Sequence, residues 1–194
     1  VSLDLAQCSD RELAALASAG QQQVYRELLR RYKPPVFRLI RANIGDPDEA
    51  MDLTQETFVA GFAALGRYDA DRPFRIWIAR IALNKCRDWA RRRAVRSFFA
   101  RALPLESAHD VASDGPAPDA EAADRAELAR VRAAMARLAP NLREVLVLRG
   151  VEELSQAETA ELLQTSEKAV EMRLYRARAK LKALLGETVA RGTG

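Results

Sequence analysis

The chain has 194 residues, 48% of them apolar, with 31 Lys+Arg, 27 Asp+Glu and one His, a formal charge of +4. That apolar share excludes a wholly disordered chain. Charges recur too often to leave the ~18 consecutive apolar residues of a membrane helix, so no membrane insertion is expected.

Helical signals begin at once. Ser9-Asp10-Arg11-Glu12 is a capping box, in which the Ser oxygen accepts from the third helical amide and Glu reaches back. It predicts a short helix over Glu12–Ala19, stopped near Gly20. A long helix from Gln22 to about Asn43 follows, with Val24, Leu28, Leu29, Tyr32, Val36, Leu39 and Ile40 at spacings of three and four. Pro34-Pro35 in its middle should kink or split it, because proline lacks the amide donor. Asp46-Pro47-Asp48-Glu49 is a start signal with Asp as N-cap and Pro in the first turn. The helix it opens runs to about Leu65, buries Ala50, Leu53, Thr54, Thr57, Phe58, Gly61, Phe62 and Leu65, and closes at Gly66. A loop, Arg67–Arg72, leads through Pro73 to a helix from Phe74 to about Phe99.

Residues 103–122 hold Pro104, Gly115, Pro116 and Pro118, the composition of a linker. Six acids and no Lys or Arg fall between Leu103 and Asp124, so the rest of the chain carries +10, and 26 of the 31 cations are Arg. Helical signal resumes near Ala123, with Leu128, Val131, Ala134, Met135 and Leu138 on one stripe that Pro140 stops. Asn141–Arg149 is a short helix ended by Gly150, and Ser155-Gln156-Ala157-Glu158 is a second capping box. Its helix runs to about Leu163, Gln164-Thr165-Ser166 turns, and a last helix spans Glu167 to about Leu185. No segment alternates like a strand. The expected fold is all-α: two small helical domains, residues 1–98 and 123–194, joined by a flexible acidic linker over 99–122, with a helix-turn-helix in the second.

Three surfaces carry the functional signal. In the last helix, Val170, Leu174, Ala177 and Leu181 form a core stripe at about 100° per residue. Lys168, Met172, Tyr175, Arg176 and Ala179 then face outward, flanked by Glu171, Arg173 and Arg178. Arg in that setting suits bidentate contact to guanine or phosphate. Arg67–Arg101 packs 11 basic residues against three acids, with Tyr68, Phe74, Trp77 and Trp89 interleaved. Arg80, Asn84, Arg87, Asp88 and Arg91 share one polar face there, a pattern suited to single-stranded nucleic acid. Phe74 and Trp77 are better read as core. Asp48, Asp52 and Glu56 recur at four, with Gln55 beside them, and like charges at that spacing cost a few tenths of a kcal/mol per pair unless a basic partner docks. Catalytic signals are missing: Cys8 and Cys86 form no paired motif, His109 is alone, and no Gly-rich phosphate loop exists, so neither an enzyme nor a cofactor is expected. The start, VSLDLAQCSDREL, does not read as a secretory signal, and the two thiols suit a reducing cytoplasm.

Four segments in order resemble a bacterial RNA polymerase sigma factor of the extracytoplasmic-function (ECF) group. Asp52-Leu53-Thr54-Gln55-Glu56-Thr57-Phe58 is similar to the family's D-L-x-Q-E-x-F, and Phe74–Asn84 to its F-x-x-W-L-x-x-I-A-x-N. Ala136–Val145 looks like the lead into its second domain, and Leu174–Arg178 like the end of its recognition helix. The resemblance implies an initiation factor that binds core RNA polymerase, through the β′ clamp helices and the β subunit, and promoter DNA. It implies that Asp48, Asp52, Gln55 and Glu56 dock on the polymerase. Tyr68, Arg72, Arg75, Arg80, Asn84, Arg87 and Arg91 would hold the melted minus-ten element. Lys168, Glu171, Met172, Arg173, Tyr175, Arg176 and Arg178 would read the minus-thirty-five element. The acidic linker would run through the polymerase cleft, and an anti-sigma factor would hold the protein inactive. Glu171 and Met172 stand where relatives often carry small or basic residues, so promoter preference does not transfer. Two rivals remain: a sigma-like mimic that sequesters a regulator without touching DNA, and a stand-alone helix-turn-helix repressor acting as a dimer on half-sites.

Overall fold

The computed structural model describes residues 4–102 and 119–192, and among them lie eight α-helices, one 3₁₀ turn and no strand. The first domain holds α1 (Asp10–Ser18), α2 (Gln22–Ile44), α3 (Pro47–Ala63), the turn Leu65–Arg67 and α4 (Phe74–Ala102). The second holds α5 (Asp119–Ala136), α6 (Pro140–Gly150), α7 (Gln156–Leu163) and α8 (Glu167–Gly192). Most of the expected linker, residues 103–118 with His109, lies outside the described residues.

The boundaries follow from local chemistry. Ser9 Oγ accepts from the Glu12 amide at 3.3 Å, and Glu12 accepts from the Ser9 amide at 2.7 Å. Ser155 and Glu158 repeat that reciprocal pair at 3.1 and 2.7 Å. Asp46 caps α3 by accepting from the amides of Asp48 and Glu49, both at 3.0 Å. Gly45 ends α2 at φ 87°, a left-handed conformation that glycine adopts without strain.

Several boundaries differ from those the sequence suggests. α2 runs through Pro34 and Pro35 as one helix. Pro34 is exposed and Pro35 partly so, while Leu28, Val36, Leu39 and Ile40 are buried on either side of them. Solvent can therefore satisfy the carbonyls of Arg30 and Arg31 that lose their amide donors, and tertiary packing holds the rest. Gly66 does not close α3; Ala64 is the cap, and Gly66 sits inside the 3₁₀ turn with Leu65 buried. α4 is described as far as Ala102, three residues past the expected Phe99. α5 is already helical at Asp119, four residues before the expected Ala123, over an Asp-Ala-Glu-Ala-Ala stretch rich in helix formers. Leu128, expected on the core stripe of α5, is 53% exposed, whereas Ala134 and Leu138 are buried. The packing surface that α8 offers begins one or two turns further along.

The first-domain core is built where α2, α3 and α4 meet, around Leu28, Leu39, Ile40, Phe58, Phe74, Ile78 and Leu83. Phe74 is fully buried, with ring centroids of Tyr32, Trp77 and Tyr68 at 4.9, 5.3 and 5.4 Å. The second domain has two small clusters of its own, Ala134–Leu138–Leu184 and Val145–Ala160–Val170. Val147, Leu148, Leu154 and Leu162 instead join the first-domain core, so one apolar cluster crosses between the domains.

α3 and α4 approach closely at Gly61, where an added Cβ would lie 2.8 Å from Ile78 Cδ1 and 3.7 Å from the Trp77 ring. Ile78 is only 1% exposed and has little room to retreat. Gly61→Val should therefore lower stability by about 2 kcal/mol through overpacking. The check is a fall in the urea midpoint with an unchanged denaturant slope.

Candidate nucleic-acid and polymerase interfaces

The acidic ridge of α3 stands as the helical period requires. Asp48, Asp52, Gln55 and Glu56 are all exposed, while Leu53, Thr54 and Thr57 turn inward. The buried threonines donate back to the carbonyls of Ala50 and Leu53 at 2.7 Å, which satisfies their hydroxyls without a partner helix. Glu56 meets Lys85 of α4 at 3.0 Å. Together they line a shallow groove whose floor includes Val59, which is 71% exposed. A ridge of carboxylates beside an uncovered apolar strip offers both steering charge and contact area to a protein partner.

α8 lies across α6 and α7 with Val170 and Ala177 fully buried and Leu174 and Leu181 half-buried. Lys168, Glu171, Met172, Tyr175, Arg176 and Arg178 are exposed, and Arg173 is half-buried. Lys168 pairs with Glu171 at 2.9 Å. Among the described residues, Arg173, Arg176 and Arg178 make no ion pair, so this face is open to an anion. The turn before it is tight: Gln164 takes φ 52°, and the Thr165 amide donates to the Ala160 carbonyl at 3.0 Å.

The cationic face of α4 has a different fate. Arg87 forks onto Glu144 of α6 with two bonds of 2.7 Å. Arg75 donates to the backbone carbonyl of Glu152 and lies 3.8 Å from its carboxylate, which Arg38 approaches at 3.7 Å. Arg72 reaches Glu161 of α7 at 3.2 Å, and Arg80 donates to the Glu161 carbonyl at 3.0 Å. Arg143 closes the far end, donating to the Asn43 carbonyl at 2.5 Å and to those of Met135, Ala136 and Leu138. Asn84 accepts from Arg87 at 3.3 Å, and Arg91 pairs with Asp88 at 2.5 Å. The Tyr68 hydroxyl donates to the Arg72 carbonyl at 2.5 Å, and its ring packs on Trp77 at 5.2 Å. The structure thus pairs Arg72, Arg75, Arg80 and Arg87 with oxygens of the second domain, while Arg72 and Arg87 stay exposed to solvent.

The acids that receive them escape composition-level reading. Glu144 and Glu152 are 6% and 5% exposed. One signal was present: Glu144 shares a helix face with Val147 and Leu148, and a lone acid on an apolar stripe needs a buried cation. Glu144 raises the pKa of Arg87 through their hydrogen bonds, and burial pushes the Glu152 carboxyl upward against Arg38 and Arg75. Among the described residues no group of side chains is arranged to hold a metal ion, and no helix is long and apolar enough to cross a membrane.

This arrangement, a helix-turn-helix unit folded back on a larger helical domain, matches known proteins over most of the chain. Residues 28–96 match the Sigma-70 region 2 model, and residues 128–181 the Sigma-70 region 4 model. RNA polymerase sigma factor CnrH of Cupriavidus metallidurans is 45% identical over 181 residues, covering 91% of this chain and 94% of that protein. ECF RNA polymerase sigma factor SigM of Mycobacterium tuberculosis is 33% identical over 92% of this chain and 85% of its own length. The solved structure of CnrH in complex with the cytosolic domain of CnrY superimposes with a TM-score of 0.68 at 38% identity, covering 92% of this chain and 97% of that one. The chain belongs to the ECF group of RNA polymerase sigma factors. Its work is to bind core RNA polymerase and direct it to promoters, and the family carries out no catalysis of its own.

Cys86 lies in the cleft where Arg87, Arg143 and Glu144 meet, and burial pushes its thiol up to about 12. Cys8 is only half-buried. Burial therefore keeps Cys86 as the unreactive thiol at pH 8. Iodoacetamide should therefore label Cys8 well ahead of Cys86, read by peptide mass. Equal rates would contradict the burial of Cys86.

Proposed function

We propose that this sigma factor divides its contacts among the three surfaces described. The ridge Asp48, Asp52, Gln55 and Glu56 docks on the β′ clamp helices of core polymerase. The Tyr68–Arg72 loop and the α4 face of Arg75, Arg80, Asn84, Arg87 and Arg91 bind the minus-ten element as a single strand. The outward face of α8, with Lys168, Glu171, Met172, Arg173, Tyr175, Arg176 and Arg178, enters the major groove at the minus-thirty-five element. The segments up to Ala102 and from Asp119 act as two units joined through residues 103–118, a shorter connection than the expected 99–122 because 99–102 and 119–122 are helical. Regulation is by an anti-sigma protein, as the pairing of CnrH with CnrY suggests for a relative of this similarity. The protein works in the cytoplasm, where polymerase and promoter are.

The observation that carries this reading is the set of unpaired arginines on α8. Arg173, Arg176 and Arg178 project from the second helix of a helix-turn-helix, and no carboxylate of the described residues pairs with them. Guanidinium groups so placed are free to fork onto guanine or phosphate. The same observation disfavours a mimic that avoids DNA. The α3 ridge, in turn, has no use in a stand-alone repressor.

Two substitutions test the assignment. Arg176→Ala should cost about 1–3 kcal/mol in promoter binding by the holoenzyme and relax preference at one upstream position. The check is footprinting and in vitro transcription on a promoter library, and an unchanged preference would refute the contact. Asp52→Arg should abolish co-purification with core polymerase while the helical circular dichroism signal stays. Retained co-purification would remove Asp52 from the interface.

A further inference from the structure

We infer that Asp10 is a positioning residue for promoter reading: from α1 it holds the Tyr32 hydroxyl, and through the ring layer Tyr32–Phe74–Tyr68 it fixes the shape of the Arg67–Arg72 loop. The inference rests on the reading of that loop as part of the minus-ten site. It gives α1, which contributes to none of the three surfaces, a part in base preference.

An acid in the first turn of a helix is ordinary, because the helix dipole favours it there. The oxygens of Asp10 are nonetheless committed to α2. Oδ1 accepts from Arg31 at 3.2 Å, and Oδ2 accepts from the Tyr32 hydroxyl. Arg31 is itself tied down, with Nε on Glu27 at 2.7 Å and Nη2 on the carbonyls of Leu5 and Ala6 at 3.0 and 2.9 Å. The carboxylate therefore offers a fixed acceptor. Burial and then the Asp10 bond raise the pKa of Tyr32, and burial and then the Asp10 charge raise that of Tyr68. Both phenols thus keep their protons and stay donors.

Tyr32 needs that acceptor to stay in place. Its ring borders a cavity of about 20 Å³, so packing alone leaves it room to shift. The same ring lies 4.9 Å from that of Phe74, which is fully buried, and Phe74 meets Tyr68 edge to face at 5.4 Å. A closely packed layer passes a displacement along rather than absorbing it. Tyr68 ends the layer and closes the loop. Its hydroxyl donates to the Arg72 carbonyl at 2.5 Å, across a turn in which the Arg72 amide donates to the Asp69 carbonyl at 3.0 Å. A shift of Tyr68 therefore disturbs both ends of the loop at once. The bond of Arg11 to Asp71 at 2.9 Å also joins α1 to the loop, but both side chains are exposed and such pairs contribute little.

The test uses the full chain in holoenzyme with core polymerase, transcribing a promoter library randomised over the minus-ten element. A barcode in each transcript identifies its promoter, so sequencing reads the base preference, and the urea midpoint of each variant is measured in parallel. Asp10→Ala and Tyr32→Phe should each relax the preference at one minus-ten base by about three- to tenfold, part of what a full base contact supplies. Leu13→Ala removes a buried side chain of α1 without touching the phenol. It should lower the urea midpoint and leave the preference within about twofold of the unaltered chain. Asp10→Asn keeps an oxygen for the phenol and should also stay within about twofold. Tyr68→Ala is the reference for the loop itself. Relaxation by Leu13→Ala equal to that by Asp10→Ala overturns positioning in favour of general support. Relaxation by Asp10→Asn equal to that by Asp10→Ala assigns the effect to the Arg31 pair and overturns the relay. Full preference in Asp10→Ala and Tyr32→Phe, with Tyr68→Ala relaxed, overturns the role of Asp10 and leaves the loop reading standing. Full preference in Tyr68→Ala as well removes the loop reading and the inference with it.

Discussion

Glu144 constrains how the two domains meet. A carboxylate with little access to water must find a cation or give up its charge. α6 carries Glu144 on the same face as Val147 and Leu148, and those side chains complete the first-domain core. Docking the apolar face therefore brings the acid with it, and Arg87 stands within bidentate reach. The apolar contact selects which face of α6 docks, and the ion pair fixes its register along α4. Arg143, the preceding residue, bolts the end of α5 to the end of α2 through four carbonyls, so two neighbouring positions settle most of the seam. Since Arg87 is partly exposed, the pair contributes more to geometry than to net stability.

The two cationic faces of the chain are alike in composition and opposite in circumstance. On α8, Arg176 and Arg178 look outward with Arg173 half-buried beside them, and no acid of the described residues pairs with them. On α4, Arg75, Arg87 and Arg91 pair with acids, Arg80 meets a backbone carbonyl, and Arg92, Arg93 and Arg96 are exposed. Local repulsion among eleven basic residues between Arg67 and Arg101 would otherwise oppose a compact chain. The second domain relieves part of that repulsion with three carboxylates, while Arg72 and Arg87 stay exposed to solvent. The preference for Arg over Lys fits this pairing. A guanidinium keeps its charge when buried and fits planar oxygen pairs, whereas a Lys ammonium loses affinity for its proton on burial.

Much of the fold was legible because its signals are local. Ser9, Asp46 and Ser155 announce helices through atoms within three residues, and each cap is present. The stripe of α8 could be read from its period alone. The failures came where distant packing decided. Pro34 and Pro35 lie inside an unbroken helix because residues on both sides are held by the core. Leu128 is exposed because α8 packs lower on α5 than the stripe implied. The candidate site divides the same way. Asp48, Asp52, Gln55 and Glu56, and the exposed face of α8, are where the helical period puts them. The contacts of Arg72, Arg75, Arg80 and Arg87 depend on Glu144, Glu152 and Glu161, which lie 57 to 89 residues away in the chain. No local pattern reports a contact over that distance.

Glu171 poses the sharper question about specificity. A carboxylate on a helix that enters DNA should repel the backbone, yet here Lys168 sits 2.9 Å from it and neutralises it in the free chain. Exposed pairs of this kind are worth little, so the pair does not hold Lys168 in place. On the proposed placement of α8, a phosphate near the helix start would draw Lys168 away. Glu171 would then be left charged at the groove floor, where only a donor such as cytosine N4 can satisfy it. Bases without that donor would leave the carboxylate desolvated and unpaired, a penalty of about 1–3 kcal/mol. Glu171 would thus add specificity by making wrong sequences worse rather than the right one better, while the unpaired arginines supply the affinity.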